Sequence, residues 1–132
     1  MTEELADLGP DPTLLLVDDD DAFLKRLGKA MEKRGFSVAM AASVAEGCAI
    51  ARQTSPAYAV VDLRLEDGNG LEVVETLREF RPDCRIVVLT GYGAIATAVA
   101  AVKLGATDYL SKPADANDVT HALLSSGKEL PP

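Results

Sequence analysis

The chain has 132 residues, which suits one domain, and 48% of them are hydrophobic, too many for a disordered segment. A formal net charge of −8 argues against a free-standing nucleic-acid binder, which carries a basic stripe. No apolar run reaches the roughly 20 residues that span a bilayer, and the opening MTEELADLGPDP lacks the apolar core of a signal peptide, so a cytoplasmic protein without membrane contact is expected.

Residues 1–12 read as a flexible leader ending in Pro10 and Pro12. TLLLVD (13–18) is continuously apolar up to its last residue, as a strand buried on both faces should be. DAFLKRLGKAMEKRG (21–35) places Phe23, Leu24, Leu27 and Met31 on one helical face, with Gly35 as its stop. FSVAMA (36–41) is a weaker strand. SVAEGCAIARQ (43–53) opens with the capping pair Ser43 and Glu46 of a second helix. YAVVDL (58–63) is a strand with Tyr58 packed at its start, and GLEVVETLREF (70–80) is a helix that turns Leu71, Val74 and Leu77 inward. RIVVLT (85–90) is a third clear strand, AIATAVAAVKLG (94–105) a helix closed by Gly105, and TDYLS (107–111) a short strand. DANDVTHALLSSG (115–127) is the last helix, with His121 at its surface. KELPP reads as the start of a Pro-rich linker, so the domain proper spans 13–126 and residues 127–132 lead to a domain absent here.

Five strand-helix units in series predict an α/β fold: a single doubly wound, five-stranded parallel sheet with helices on both faces. Ligands of such sheets bind beyond the carboxyl ends of the strands. Those ends carry Asp18 and Asp19, Asp62, Thr90, and Lys112 beside Pro113. Three carboxylates offer the oxygen ligands a hard cation such as Mg²⁺ (or Mn²⁺) prefers. A cation with Lys and Thr donors neutralises the oxygens of a transferring phosphoryl group, and a central carboxylate can be its acceptor.

Four consecutive aspartates, 18–21, need an account, since adjacent charges about 4 Å apart repel by roughly 4 kcal/mol at an effective dielectric near 20. Asp18 and Asp19 read as a metal site, where repulsion is relieved by the cation. Asp20 and Asp21 read as acids at a helix start, where capping and the helix dipole favour them.

The stretches LLLVDDDD, VVDLRLEDGNGLE, VVLTGYG and GATDYLSKP resemble response-regulator receiver domains of two-component signalling, over about residues 13–125. FLKRLGKAMEKRGF and VVDLRLEDGNGLEVVE are most similar to redox-responsive global regulators of the RegA/PrrA/ActR type, which add a C-terminal helix-turn-helix DNA-binding domain. The resemblance implies the flavodoxin-like strand order 2-1-3-4-5. It implies that Asp62 is the phosphoacceptor, Asp19 a direct Mg²⁺ ligand, Asp18 a ligand acting largely through water, and the Arg64 main-chain carbonyl a further ligand. Thr90 and Lys112 would hold the phosphoryl oxygens, with Thr90 and Tyr109 as the switch pair and the bond before Pro113 cis. Arg64 and Tyr92 would flank the path of the hydrolytic water. The implied partners are a sensor histidine kinase, a second copy of the chain in a phosphorylation-linked homodimer, and DNA only through the absent domain.

The family often has proline four residues past the acceptor. Here Glu66 and Asp67 stand in an acidic, Gly-rich loop, which reads either as a flexible loop that draws in Mg²⁺ or as a solvated turn. GYGAIA (91–96) matches a dinucleotide fingerprint and supports a rival reading as a small nucleotide-binding enzyme, but it follows a late strand and leaves Asp19, Asp62 and Lys112 without a role. A receiver-like domain that binds partners without phosphorylation is a third reading, opposed by the intact set of site residues. Cys48 and Cys84 have no metal spacing and read as reduced thiols, with a regulatory disulfide as the alternative.

Overall fold

A computed structural model describes residues 9–91 and 95–124. Five strands, β1 (Thr13–Val17), β2 (Ser37–Ala41), β3 (Tyr58–Asp62), β6 (Arg85–Thr90) and β7 (Asp108–Ser111), form one parallel sheet in the order β2-β1-β3-β6-β7. Counting only these five, the order is the expected 2-1-3-4-5. Five helices connect or follow them: α1 (Asp21–Lys33), α2 (Val44–Thr54), α3 (Leu71–Phe80), α4 (Ile95–Lys103) and α5 (Ala116–Leu124).

Alternation along each strand divides the core. Leu15, Val17, Ala59, Val61, Ile86 and Val88 pack with Val44, Cys48, Val73, Val74, Leu77, Ala98 and Ala101 of α2, α3 and α4. Leu14, Leu16, Val60, Val87 and Leu89 pack with Leu24, Leu27, Met31, Val119 and Leu123 of α1 and α5. Because both faces are covered, β1, β3 and β6 are buried almost throughout, which is why they read as unbroken apolar runs. Each fully buried Leu or Val contributes about 1.5–3 kcal/mol relative to exposure. On α3 the buried face includes Val73 beside Val74 and Leu77, and Leu71 is half-buried. Tyr58 meets Phe36 edge-on at 5.3 Å. Cys48 and Cys84 are free and buried, and burial pushes the Cys84 thiol up to about 12.

The acidic loop is a turn exposed at Glu66 and Asp67, and it is more ordered than a flexible loop. Residues 64–69 form a small antiparallel hairpin, β4 (Arg64–Leu65) and β5 (Gly68–Asn69), with buried Leu65 as its anchor in the core. Its tip is fastened to α2. The Asp67 carboxylate accepts from the N–H groups of Val44 (2.9 Å) and Ala45 (3.2 Å), while Ser43 Oγ accepts from Glu46 N (3.1 Å). Side chains thus satisfy the first three amides of α2, groups that a helix leaves without partners. These bonds, that to Val44 first, hold the Asp67 carboxyl below its usual range.

The chain just past the carboxyl end of α4 is bonded by a side chain of α3. Arg78 Nε donates to the Gly105 carbonyl (2.7 Å) and its Nη1 to the Pro82 carbonyl (2.6 Å). Gly105 has φ of +119°, a conformation other residues resist. Ahead of β1, Asp11 is bound by Arg81 at 2.6 Å and by Thr13, and the Pro12 carbonyl accepts from Ser37 N.

Candidate functional site

Four strand ends deliver the site. β1 stops at Val17, so Asp18 and Asp19 follow directly at the carboxyl edge of the sheet. β3 ends on Asp62 itself and β6 on Thr90. Lys112 follows β7, and its N–H donates to the Thr90 carbonyl at 2.8 Å, which ties these two ends together. The Lys112–Pro113 peptide is cis.

The side chains converge. Asp18, Asp19 and Asp62 each present a carboxylate oxygen within 4.8 Å of the others. Asp18 and Asp62 are almost wholly buried and Asp19 lies exposed at the rim. Lys112 Nζ stands 2.9 Å from Asp18 Oδ2 and 3.1 Å from Asp62 Oδ2. It hydrogen-bonds Asp62 and forms an ion pair with Asp18, so one ammonium is shared between the two buried carboxylates. The remaining oxygens have backbone partners: Asp20 N to Asp18 Oδ1 (2.9 Å), Arg64 N to Asp62 Oδ1 (3.1 Å) and Glu66 N to Asp19 Oδ2 (3.0 Å).

The electrostatics are those of an incomplete charge balance. Burial pushes the Asp62 carboxyl above the usual aspartate range, and the nearby Asp18 charge adds to the effect; the Arg64 N–H and Lys112 oppose it. Burial works against the Lys112 charge, but Asp18 and Asp62 outweigh it and hold the ammonium above the ordinary lysine range. Three carboxylates against one ammonium leave two negative charges uncompensated, the number a divalent cation supplies. The donor set is all oxygen, with one carboxylate oxygen of each aspartate within 4.8 Å of the others, so these residues fit a hard divalent ion.

Thr90 is buried beside this cluster, and Tyr109 sits one strand away, 38% exposed on β7. Tyr92 lies outside the described residues, as do Gly93 and Ala94 of the GYGAIA stretch, the leader up to Leu8 and the segment 125–132. The Arg64 side chain is exposed and its backbone opens the hairpin. Asp20 caps α1, accepting from Phe23 N at 3.1 Å, and exposed Asp21 pairs with Lys25, so neither joins the cluster. His121 is exposed on α5.

Two participants escape a reading of the sequence. Phe23, assigned by spacing to the core, is half-buried and carries the Lys112 ammonium 5.1 Å from its ring centre. Asp67 reaches α2 across more than 20 residues, which no local pattern announces. Beside Lys112 an open cleft of about 710 Å³ runs between α1 and α5, lined by Phe23, Leu27, Pro113 and Ala114 among others.

Comparison with known proteins agrees with this fold. A family described as the response regulator receiver domain matches residues 14–124. The photosynthetic apparatus regulatory protein RegA of Cereibacter sphaeroides is 77% identical over an alignment of 133 residues, covering all of this chain and 72% of that protein. The acid tolerance regulatory protein ActR of Rhizobium meliloti (strain 1021) is 63% identical over 117 residues, 89% of this chain and 60% of that one. A response regulator from Burkholderia pseudomallei, solved with a phosphorylated aspartic acid, calcium ion and citrate, superposes with a TM-score of 0.82 at 40% identity, covering 87% of this chain and 68% of the other. These relatives are regulators, and nothing among them supports the nucleotide-enzyme reading.

Proposed function

The chain belongs to the response regulator receiver domain family of two-component signalling, and from that premise we propose that Asp62 accepts a phosphoryl group from a sensor histidine kinase with the help of Mg²⁺. The observation that carries this reading is the burial of Asp62 at a strand end, within reach of both a lysine ammonium and two further carboxylates.

An Asp62 carboxylate oxygen attacks phosphorus, the bond from phosphorus to the donor's imidazole nitrogen breaks, and its electron pair returns to that nitrogen. The product is an acyl phosphate on Asp62. Asp18, Asp19, Asp62 and the Arg64 carbonyl would hold Mg²⁺, which supplies positive charge to the phosphoryl oxygens. Lys112 transfers its hydrogen bond from the Asp62 carboxylate to a phosphoryl oxygen, and the Thr90 hydroxyl donates to another. The cleft beside Lys112 gives a partner's imidazole an open approach. The phosphorylated aspartic acid and calcium ion of the Burkholderia pseudomallei relative support the same assignment.

Movement of Thr90 toward the phosphoryl group vacates space into which the Tyr109 ring turns, burying apolar area. The surface beside it, with exposed Val99, Val102 and Leu104, would then form the contact of a phosphorylation-linked homodimer. Large side chains at Arg64 and Tyr92 would slow the hydrolytic water. The output is transcriptional regulation through a helix-turn-helix DNA-binding domain outside this chain, since a net charge of −8 suits no direct DNA contact.

Incubation with acetyl phosphate and Mg²⁺ should add one phosphoryl group to the wild type and none to Asp62→Asn, read by mass spectrometry. Equal labelling of both would overturn the assignment. Beryllofluoride with Mg²⁺ should shift NMR signals through residues 95–110; shifts confined to the pocket would reject the switch while leaving the acceptor in place.

A further inference from the structure

Of the three clustered carboxylates, Asp19 is held differently. Asp18 and Asp62 are buried and both face Lys112. Asp19 is exposed, and among the described residues the one hydrogen bond on its carboxylate comes from the backbone N–H of Glu66 at 3.0 Å. Glu66 sits in the two-residue turn of the β4–β5 hairpin, between paired Leu65 and Gly68. The next residue, Asp67, clasps the first two amides of α2. That helix is a firm support, because Val44, Gly47, Cys48 and Ala51 lie buried against the sheet.

We propose that the hairpin is a strut between α2 and the cation site, in which Asp67 acts as the positioning residue that keeps Asp19 aimed at the ion. Asp67 is not in the metal-ligand cluster. It fixes the turn, the turn presents the Glu66 N–H, and that N–H holds the Asp19 carboxylate. An exposed aspartate otherwise samples several rotamers, and a cation that binds it must immobilise it first. A strut that does so in advance raises affinity by preorganisation. The contact depends on the residue at position 66. Any residue but proline can supply that N–H. The inference rests on reading Asp18, Asp19 and Asp62 as a divalent-cation site.

The test is calorimetric titration of the metal-free full chain with MgCl₂ at fixed ionic strength, with amide exchange followed by NMR in the absence of metal. In the wild type the Glu66, Val44 and Ala45 amides should exchange slowly. Asp67→Ala should expose all three and raise the Mg²⁺ Kd about three- to tenfold, the range expected for losing one charge-assisted restraint. Asp67→Asn removes the same charge but keeps an acceptor for Val44 N, and should recover most of the affinity. Glu66→Pro removes the N–H, together with the side-chain charge, at a turn position that suits proline, and Glu66→Gln removes the charge alone; Glu66→Pro should bind Mg²⁺ more weakly than Glu66→Gln while the α2 amides stay protected in both. Asp19→Asn separates the two readings. If it loses Mg²⁺ while Asp67→Ala and Glu66→Pro bind as wild type, the strut is wrong and the cation site stands. If Asp19→Asn itself binds as wild type, the cation site falls and the strut with it. An Asp67→Asn variant as weak as Asp67→Ala would show that charge, not the clasp, matters, and would also overturn the proposal.

Discussion

The ammonium of Lys112 lies 5.1 Å from the centre of the Phe23 ring. The only cation of the described cluster is therefore held by an aromatic face from α1 as well as by Asp18 and Asp62. Cation–π contacts of this kind contribute about 0.5–2 kcal/mol, more where water is excluded. Phe23→Leu keeps the apolar volume and removes the π face. It should lower stability by about 1 kcal/mol and slow phosphorylation by acetyl phosphate at saturating Mg²⁺, as read by thermal melts and single-turnover rates.

Lys112→Met leaves Asp18 and Asp62 facing each other without a counter-charge. Breaking a buried pair costs about 3–5 kcal/mol, and Lys112 is partly exposed, so a loss of about 2 kcal/mol is expected for the metal-free protein. Divalent cations replace the missing charge. The gain in Tm on adding Mg²⁺ should accordingly be larger for the variant than for the wild type; an equal gain would contradict the charge balance drawn here.

Asp62 gives a pH dependence of definite sign. Its folded-state pKa is raised, even with the attraction of Lys112 included, so the folded state holds the proton more tightly than the unfolded one. Metal-free wild type should lose stability as pH rises from about 4 through the raised value. Asp62→Asn has no such group, and should be more stable than wild type at neutral pH, with the difference shrinking toward pH 3 in urea melts.

Asp11 gives the opposite sign. Thr13 first, then Arg81, lower its carboxyl to about 2. The stabilisation is present above the unfolded value near 4 and is lost as pH falls toward 2. The pair is more than a quarter exposed on each side, so solvent screening reduces its contribution to about 1 kcal/mol or less. Asp11→Asn should cost that amount at pH 7 and progressively less below pH 4.

Arg78→Ala removes the bond to the Gly105 carbonyl just past α4 and the bond to the Pro82 carbonyl after α3. Amides of Leu104, Gly105 and Ala106 should exchange faster, and stability should fall by about 1–2 kcal/mol. Mg²⁺ affinity should stay within about twofold, because Arg78 bonds only backbone carbonyls outside the cation cluster and shares no partner with it. A large loss of affinity would mean that α4 is coupled to the site even without phosphorylation.

The parts of this fold legible in the sequence are those governed by local periodicity or by strand ends. β1, β3 and β6 announce themselves because both faces are covered, and Ser43 announces the start of α2. Asp18, Asp62, Thr90 and Lys112 converge because a parallel sheet gathers its carboxyl ends at one edge. The contacts that escaped are those made by side chains across long separations. Asp67 caps a helix that begins 23 residues earlier, Arg78 reaches a carbonyl 27 residues on, and Arg81 reaches back 70 residues to Asp11. The hairpin was hidden for another reason: two-residue strands are too short to show alternation, and Glu66 and Asp67 read simply as charge.

Gly70, the residue just before α3, gives its N–H to the Leu63 carbonyl. A β-carbon there would lie 2.5 Å from the Asp62 carbonyl oxygen and 2.7 Å from a Val61 methyl. The φ of −68° is open to any amino acid, so the constraint is one of room rather than of backbone conformation. The first obstacle is main chain, which cannot swing aside as the tip of a long side chain can. For a lineage of drifting sequences this makes position 70 a fixed point. Alanine there must displace the peptide that carries Asp62, and trimming Val61 would relieve the second contact but not the first, because a carbonyl oxygen is common to every residue.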